Sequence, residues 1–303
     1  MKPRKRFHLQ LPNRSLLLGE RTLVMGILNV TPDSFSERGA YFDRRAAIAR
    51  GLEMEREGAD ILDIGGESTR PGATPIEEQE ERERTIPVIE TLRRKGLRIP
   101  ISIDTYKASV AERALRAGAE IVNDVSGLRQ DARMATVVGD RRAAVILMHM
   151  RGTPRTMQKL QPVGRILPAI RQGLQVSIRK ALRAGISRQQ IVLDPGLGFG
   201  KTAEQNFQIL AGLSSLARLG YPLLVGPSRK SFIRKWLFGE VHKKEAVSAA
   251  RKRFSGKELV SEELLFGTAA TITAAILNGA HIVRVHDVRP MVAVARVADR
   301  LLF

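Results

Sequence analysis

The chain has 303 residues, 43% of them hydrophobic, and its 50 Lys and Arg against 31 Asp and Glu give a formal charge of +19. That is enough apolar material for one large α/β barrel, which takes about 250 residues, or for two ordinary domains, and no compositional bias points to disorder. With no cysteine in the chain, a disulfide framework, a thiolate zinc site and a cysteine nucleophile are excluded together. The basic residues are spread over helical faces, as at Arg44, Arg45, Arg50, Arg56 and Arg93, Arg94, Lys95. A nucleic-acid binder would gather them on one element with aromatics between, so the charge reads as a solvated surface or as steering of an anionic small substrate, with no nucleic acid partner. No apolar run nears the ~18 residues of a bilayer span. His8, Gln10, Asn13 and Arg14 interrupt the basic opening before a signal core can form, and the expectation is a cytoplasmic protein without a membrane partner.

Residues 7–18, FHLQLPNRSLLL, predict a short hairpin turning at Pro12 to Arg14. Then TLVMGILNV (22–30) is a near-continuous apolar run, as a doubly buried parallel strand requires, ending on Asn29. A turn-rich loop carrying Phe35 and a helical pattern over 43–57 follow, closed by Gly58. From there a unit repeats: GADILDI at 58, GAEIVND at 118 and GAHIVRV at 279 each give a glycine helix stop, an apolar strand and a polar tip. By this rule eight strands are predicted, at 22–29, 59–64, 99–104, 119–124, 143–149, 190–194, 222–227 and 281–286, separated by helix-length crossovers. The fold class is α/β, a (β/α)8 TIM barrel with an N-terminal hairpin (1–21), in a single unit over 1–303. A doubly wound open sheet would need G-x-G-x-x-G after its first strand, where this chain has TPDSFSERG.

All eight strand tips carry polar groups: Asn29, Asp63, Asp104, Asn123 with Asp124, His149, Asp194, Arg229 with Lys230, and Arg284 with His286. In a barrel these ends share one mouth. GGESTRPGATP after the second strand offers glycine amides, the Ser68 and Thr69 hydroxyls and the Arg70 fork, a set suited to a pyrophosphate, although a plain surface loop has the same composition. Arg284 and His286, two apart, lie on one side of a strand and can meet one anion. Asp104 and Asp194 with the Asn123 amide can orient a flat, nitrogen-rich heterocycle; alternatively Asp104 caps a helix near Tyr106 and Asn123 ties down a loop. Asp63 and Asp124 suit supporting roles. IVLDPGLGFGK (191–201) brings backbone close to a ligand through Gly196, Gly198 and Gly200. Lys230 in VGPSRKSFIRK can neutralise a substrate, Ser231 can start the next helix, and His149 between two methionines packs at the mouth.

With these residues assembled, the chain resembles the dihydropteroate synthase family over nearly its whole length. The resemblance is carried in order by MGILNVTPDSFS (25–36), DIGGESTRPG (63–72), SIDTY (102–106), NDVSG (123–127), MHMRGTP (148–154), DPGLGFGK (194–201), SRKSF (228–232) and RVHDV (284–288). It implies condensation of 6-hydroxymethyl-7,8-dihydropterin diphosphate with p-aminobenzoate to 7,8-dihydropteroate and pyrophosphate, with carbon–oxygen cleavage ahead of amine attack. By the same resemblance Asp104, Asn123, Asp194 and Lys230 hold the pterin, Thr69, Arg70, Arg284 and His286 take the diphosphate, and Asn29 ligates a Mg2+ ion. Phe35, Phe199, Lys230 and Ser231 shape the p-aminobenzoate pocket, with Asp104, Asp194, Lys230 and Phe35 as the catalytic set. A homodimer and a monofunctional chain are further expectations. The sequence departs from the family pattern in an insertion at 239–262, before the last helix–strand unit, and in Glu37 where the family often has Asp. Two rivals are a pterin-binding methyltransferase domain on the same barrel, which needs neither the SRKSF cation nor diphosphate groups, and a non-catalytic basic RNA-associated barrel.

Overall fold

Every second side chain of a strand points to one face, and the two faces of these strands have different destinations. The computed structural model of the chain describes residues 4–31, 40–68, 73–153, 155–157, 160–239 and 256–302. An antiparallel pair, β1 (Phe7–Gln10) and β2 (Ser15–Leu18), is followed by eight parallel strands: β3 (Leu23–Asn29), β4 (Ile61–Gly65), β5 (Ile101–Asp104), β6 (Ile121–Asp124), β7 (Ala144–Met148), β8 (Ile191–Asp194), β9 (Leu224–Val225) and β10 (Ile282–Val285). Neighbours pair in the order β8-β7-β6-β5-β4-β3-β10-β9. A bridge between Leu193 and Leu223 closes the ring, the Leu193 N–H donating to the Pro222 carbonyl at 2.9 Å.

The predicted strands all form, close to their predicted bounds. The exception in length is β9, expected over 222–227 and reduced to two residues. Pro222 brings no N–H to the ladder, and the Gly226-Pro227 step ends it on the other side.

The helices are α1 (Ala40–Arg56), α2 (Glu78–Arg94), α3 (Ala108–Arg116), α4 (Met134–Asp140), α5 (Ile166–Arg183), α6 (Ala203–Ala211), α7 (Leu213–Ala217), α8 (Ser231–Phe238), α9 (Gly256–Leu277) and α10 (Val288–Arg300). The three repeat glycines, Gly58, Gly118 and Gly279, adopt φ of 99°, 111° and 102°, the left-handed turn that sends each helix back into a strand without a Cβ clash. Of the insertion, residues 240–255 lie outside the described residues, while 256–262 open α9. Among the described residues no helix is long and apolar enough to cross a membrane.

Outward-facing Val24, Leu62, Ile64, Val145, Leu193 and Val283 are buried beneath the helices. Inward-facing Met25, Ile61, Ile121, Ile146, Val192 and Ile282 fill the lower barrel, and Leu9, Leu11 and Leu18 of the hairpin pack against them. Charge holds this floor in place: Arg14 donates to Glu120 from Nε and Nη2 at 2.8 and 2.5 Å, and Arg93 donates to the same carboxylate at 2.8 Å. With its N-terminal end sealed by the hairpin, the barrel is left to present its polar tips at the opposite end.

Candidate active site

Climbing the inward face, the layer above the aliphatic floor turns polar. Asn29 pairs in register with Gly65, Gly65 with Asp104, and Asp104 with Asn123, so four distant sequence segments form one arc of the mouth. Arg284 reaches into it from β10. Its Nε donates to Asp63 Oδ2 at 2.6 Å and its Nη2 to Asp104 Oδ2 at 2.7 Å. Asn123 donates to the same Asp63 oxygen at 3.1 Å. The second oxygens of Asp63 and Asp104 are buried without a protein partner among the described residues. Such an unpaired buried acceptor is suited to the N–H groups of a bound molecule.

Burial dominates the electrostatics. It pushes Asp104 up to about 7, against the pull of Arg284 and with help from the neighbouring Asp63 charge. Asp194 is raised as well by burial, opposed by the Gly196 N–H that it accepts at 2.7 Å and by Lys230, Lys201 and Arg284. Two carboxylates whose ionisation is held back by burial can respond to a cation that forms beside them.

Geometry settles the alternatives left open for the polar tips. Asp104 does not cap α3: Lys107 occupies the N-cap position, and Asp131 accepts from the Ala108 N–H at 2.9 Å. Asn123 bonds to a side chain of the site. Loop support falls to Asp124, which accepts from Ser126 and Leu128 N–H, both at 2.7 Å. His149 is buried, its Nδ1 has no partner among the described residues, and burial lowers it to about 3, so it packs at the mouth as a neutral ring. Arg229 turns aside to pair with Asp287 at 2.5 Å and is half exposed.

The loop after β8 is shaped by close approach. At Gly196, with φ of 68°, a Cβ would lie 2.1 Å from the His149 carbonyl oxygen. The loop thereby sets buried Phe199 under Lys230, whose ammonium stands 4.1 Å from the ring centroid, a cation–π contact. Ser231 is exposed and begins α8, with Lys230 at the N-cap.

On β10's far side Ser228 Oγ lies 3.0 Å from His286 Nδ1 and accepts from the His286 backbone N–H at 3.2 Å. In the tautomer whose Nδ1 accepts the Ser228 hydroxyl proton, the ring's own proton sits on Nε2. Burial and the adjacent Arg284 lower His286 to about 3. The imidazole is thus a neutral hydrogen-bond donor.

The expected residues Asn29, Asp104, Asn123, Asp194, Phe199, Lys230, Ser231, Arg284 and His286 therefore gather at one barrel end, whereas Phe35, Glu37, Thr69 and Arg70 lie outside the described residues. Sequence reasoning left two features without a role. Lys201 donates to three carbonyls, of His149, Gly196 and Phe199, at 2.9, 2.8 and 3.1 Å, tying the β7 and β8 loops together; burial lowers it to about 7. The second is a linked set of Glu67, Glu81 and Lys107, with half-buried Tyr106, beyond the end of β4. Lys201 was detectable as the end of a glycine-rich motif. No linear signal links Glu81 to Lys107.

Residues 25–286 match the family described as pterin binding enzyme. Dihydropteroate synthase from Synechocystis sp. is 48% identical over 283 residues, 93% of this chain and 91% of that protein. Among solved structures, Xanthomonas albilineans dihydropteroate synthase with 4-aminobenzoic acid superposes with a TM-score of 0.83 at 38% identity, covering 98% of each chain. The same enzyme in complex with 7,8-dihydropteroate gives a TM-score of 0.79 at 37% identity, covering 97% of this chain and 98% of that one.

Proposed function

The chain belongs to the dihydropteroate synthase family, transferases of folate biosynthesis that make dihydropteroate, and from that premise we propose how its residues divide the reaction between 6-hydroxymethyl-7,8-dihydropterin diphosphate and p-aminobenzoate. The pterin lies over Arg284 with its N–H groups on Asp104 and Asp194 and its amide edge on Asn123. The carbon–oxygen bond to the diphosphate breaks, the electron pair leaving with pyrophosphate. Asp104 and Asp194 stabilise the cation left on the pterin methylene and ring. The amine of p-aminobenzoate then supplies its lone pair to that carbon, and the surplus proton leaves to water. An arylamine is already a nucleophile, so no strong base is required.

Arg284 and the neutral His286 donate to the departing diphosphate, together with Thr69 and Arg70. Phe199, Lys230, Ser231 and Phe35 frame the p-aminobenzoate. Its carboxylate suits the start of α8, where first-turn N–H groups and the helix dipole favour an anion. Among the described residues no cluster of three His, Asp or Glu could hold a metal. The Asn29 amide oxygen, facing Gly65 beside Asp104, fits a hard cation that takes its remaining ligands from phosphate oxygens and water. Mg2+ bound there would neutralise the leaving diphosphate.

The observation that carries this reading is the convergence of Asp104, Asn123, Asp194, Lys230 and Arg284 on one mouth. Exposed apolar Phe266 on α9 and Val297 and Leu301 on and after α10 support a homodimer of single-unit chains, and the cysteine-free composition supports a cytoplasmic location. The test is pyrophosphate release on mixing both substrates with Mg2+. Sustained release that needs both supports the proposal; none, or equally fast sustained turnover without the arylamine, overturns it.

A further inference from the structure

Three carbonyl oxygens from two different loops converge beside the mouth, and one ammonium stands among them. Lys201 Nζ donates to His149 in the loop after β7, and to Gly196 and Phe199 in the loop after β8, at 2.9, 2.8 and 3.1 Å. An ammonium has three N–H bonds and no acceptor, so this set uses all of them. Burial works against the charge, Asp194 supports it, and Lys230 and Arg151 oppose it. Apolar packing could hold a loop at lower cost than a charge taken out of water. What the ammonium adds is a fixed geometry for carbonyls that would otherwise repel one another.

The two functional residues of this segment depend on that geometry unequally. Asp194 ends β8 in register with Met148, and its carbonyl accepts from the His149 N–H at 2.9 Å, so the strand ladder holds it. Phe199, five residues on, lies past that last ladder bond. Its N–H donates to the Gly196 carbonyl at 3.2 Å, and Lys201 holds both that carbonyl and the Phe199 carbonyl. The ammonium thus clamps the turn at its two ends and anchors it to His149. The neighbouring ties, Gly198 N–H to Asn206 Oδ1 at 2.7 Å and Arg151 Nη1 to the Gly200 carbonyl at 3.2 Å, flank Phe199 without touching its backbone.

We infer that Lys201 is a positioning residue for the arylamine, setting the Phe199 ring at the p-aminobenzoate subsite while the strand ladder sets the pterin contacts. The inference rests on the role proposed above for Phe199. Lys201 acts through that ring and touches neither substrate.

Lys201→Met, Phe199→Ala and the double variant are compared with the full-length wild-type enzyme by steady-state kinetics. Lys201→Met should raise KM for p-aminobenzoate about tenfold or more and KM for the pterin diphosphate less than threefold. In the Phe199→Ala background the same substitution should have a much smaller effect on the p-aminobenzoate KM, because the ring through which it acts is gone. A p-aminobenzoate KM that rises no more than that for the pterin diphosphate, or rises as far without the Phe199 ring as with it, overturns the inference. If Lys201→Met does not fold, Lys201→Gln, which keeps two N–H donors on an uncharged side chain, decides by the same readings. Failure of both to fold also overturns it, since the residue would then support the barrel as a whole. A normal p-aminobenzoate KM in Phe199→Ala, or wild-type enzyme that releases no pyrophosphate, would sink the parent reading instead, so the two failures are distinguishable.

Discussion

Arg284 and Asp104, 180 positions apart in the chain, meet at 2.7 Å, and the same guanidinium holds Asp63 at 2.6 Å. One rigid fork thereby serves two buried carboxylates at the floor of the mouth. Lysine has no such fork. Arg284→Gln leaves both acids without a countercharge, and the expected result is a loss of about 3–5 kcal/mol of stability on chemical denaturation. Turnover should fall about 100-fold or more, and Arg284→Lys should recover stability better than activity.

The raised Asp104 makes substrate capture depend on pH. Its ordinary value of 3.8 is shifted to about 7 by burial, so the group gains its charge only as the pH rises through neutrality. The ionised form is the better acceptor for pterin N–H groups. Affinity for the free pterin, followed by calorimetry, should rise between pH 6 and pH 8 and weaken as the pH falls through 7. Asp104→Asn should flatten the profile; an equally steep profile in that variant would assign the titration elsewhere.

Lys230 rests on the Phe199 ring at 4.1 Å, where it adds positive charge beside Asp194. Lys230→Ala or Asp194→Ala should each lower kcat/KM by about 100- to 1,000-fold. Near-normal kinetics from either variant would remove the residue assignments.

Ser228 Oγ stands 3.0 Å from His286 Nδ1, and a hydroxyl proton given to that nitrogen would hold the ring proton on Nε2. In Ser228→Ala the ring is free to move its proton, and the donor proposed for the diphosphate is lost part of the time. A fall of about 10- to 100-fold in kcat/KM is expected, with p-aminobenzoate KM unchanged.

Gly196→Ala would bring a Cβ to 2.1 Å from the His149 oxygen at a φ of 68°. The β8 loop must then move away from β7. A loss of about 2–4 kcal/mol should show as a lower urea midpoint, accompanied by weaker p-aminobenzoate binding as Phe199 shifts.

What the sequence determined by itself was periodic and local. Apolar runs ending on polar tips predicted eight strands, the glycine stops predicted the helix-to-strand turns, and β3 to β10 formed close to those positions. Their position at the strand tips, together with the family motifs, allowed Asn29, Asp104, Asn123, Asp194 and Arg284 to be named from one dimension. Tertiary structure decided who meets whom. Asp63 became the anchor of Arg284, His286 became a neutral donor, and Asp104 was spared a capping role because Asp131 reaches that helix first. Lys201 and Lys107 gained their work only there, since a buried ammonium is defined by acceptors gathered from different loops and leaves no regular spacing behind. Period and turn chemistry are written between near neighbours, whereas burial, and the charge states it imposes, exists only once the ring of strands has closed.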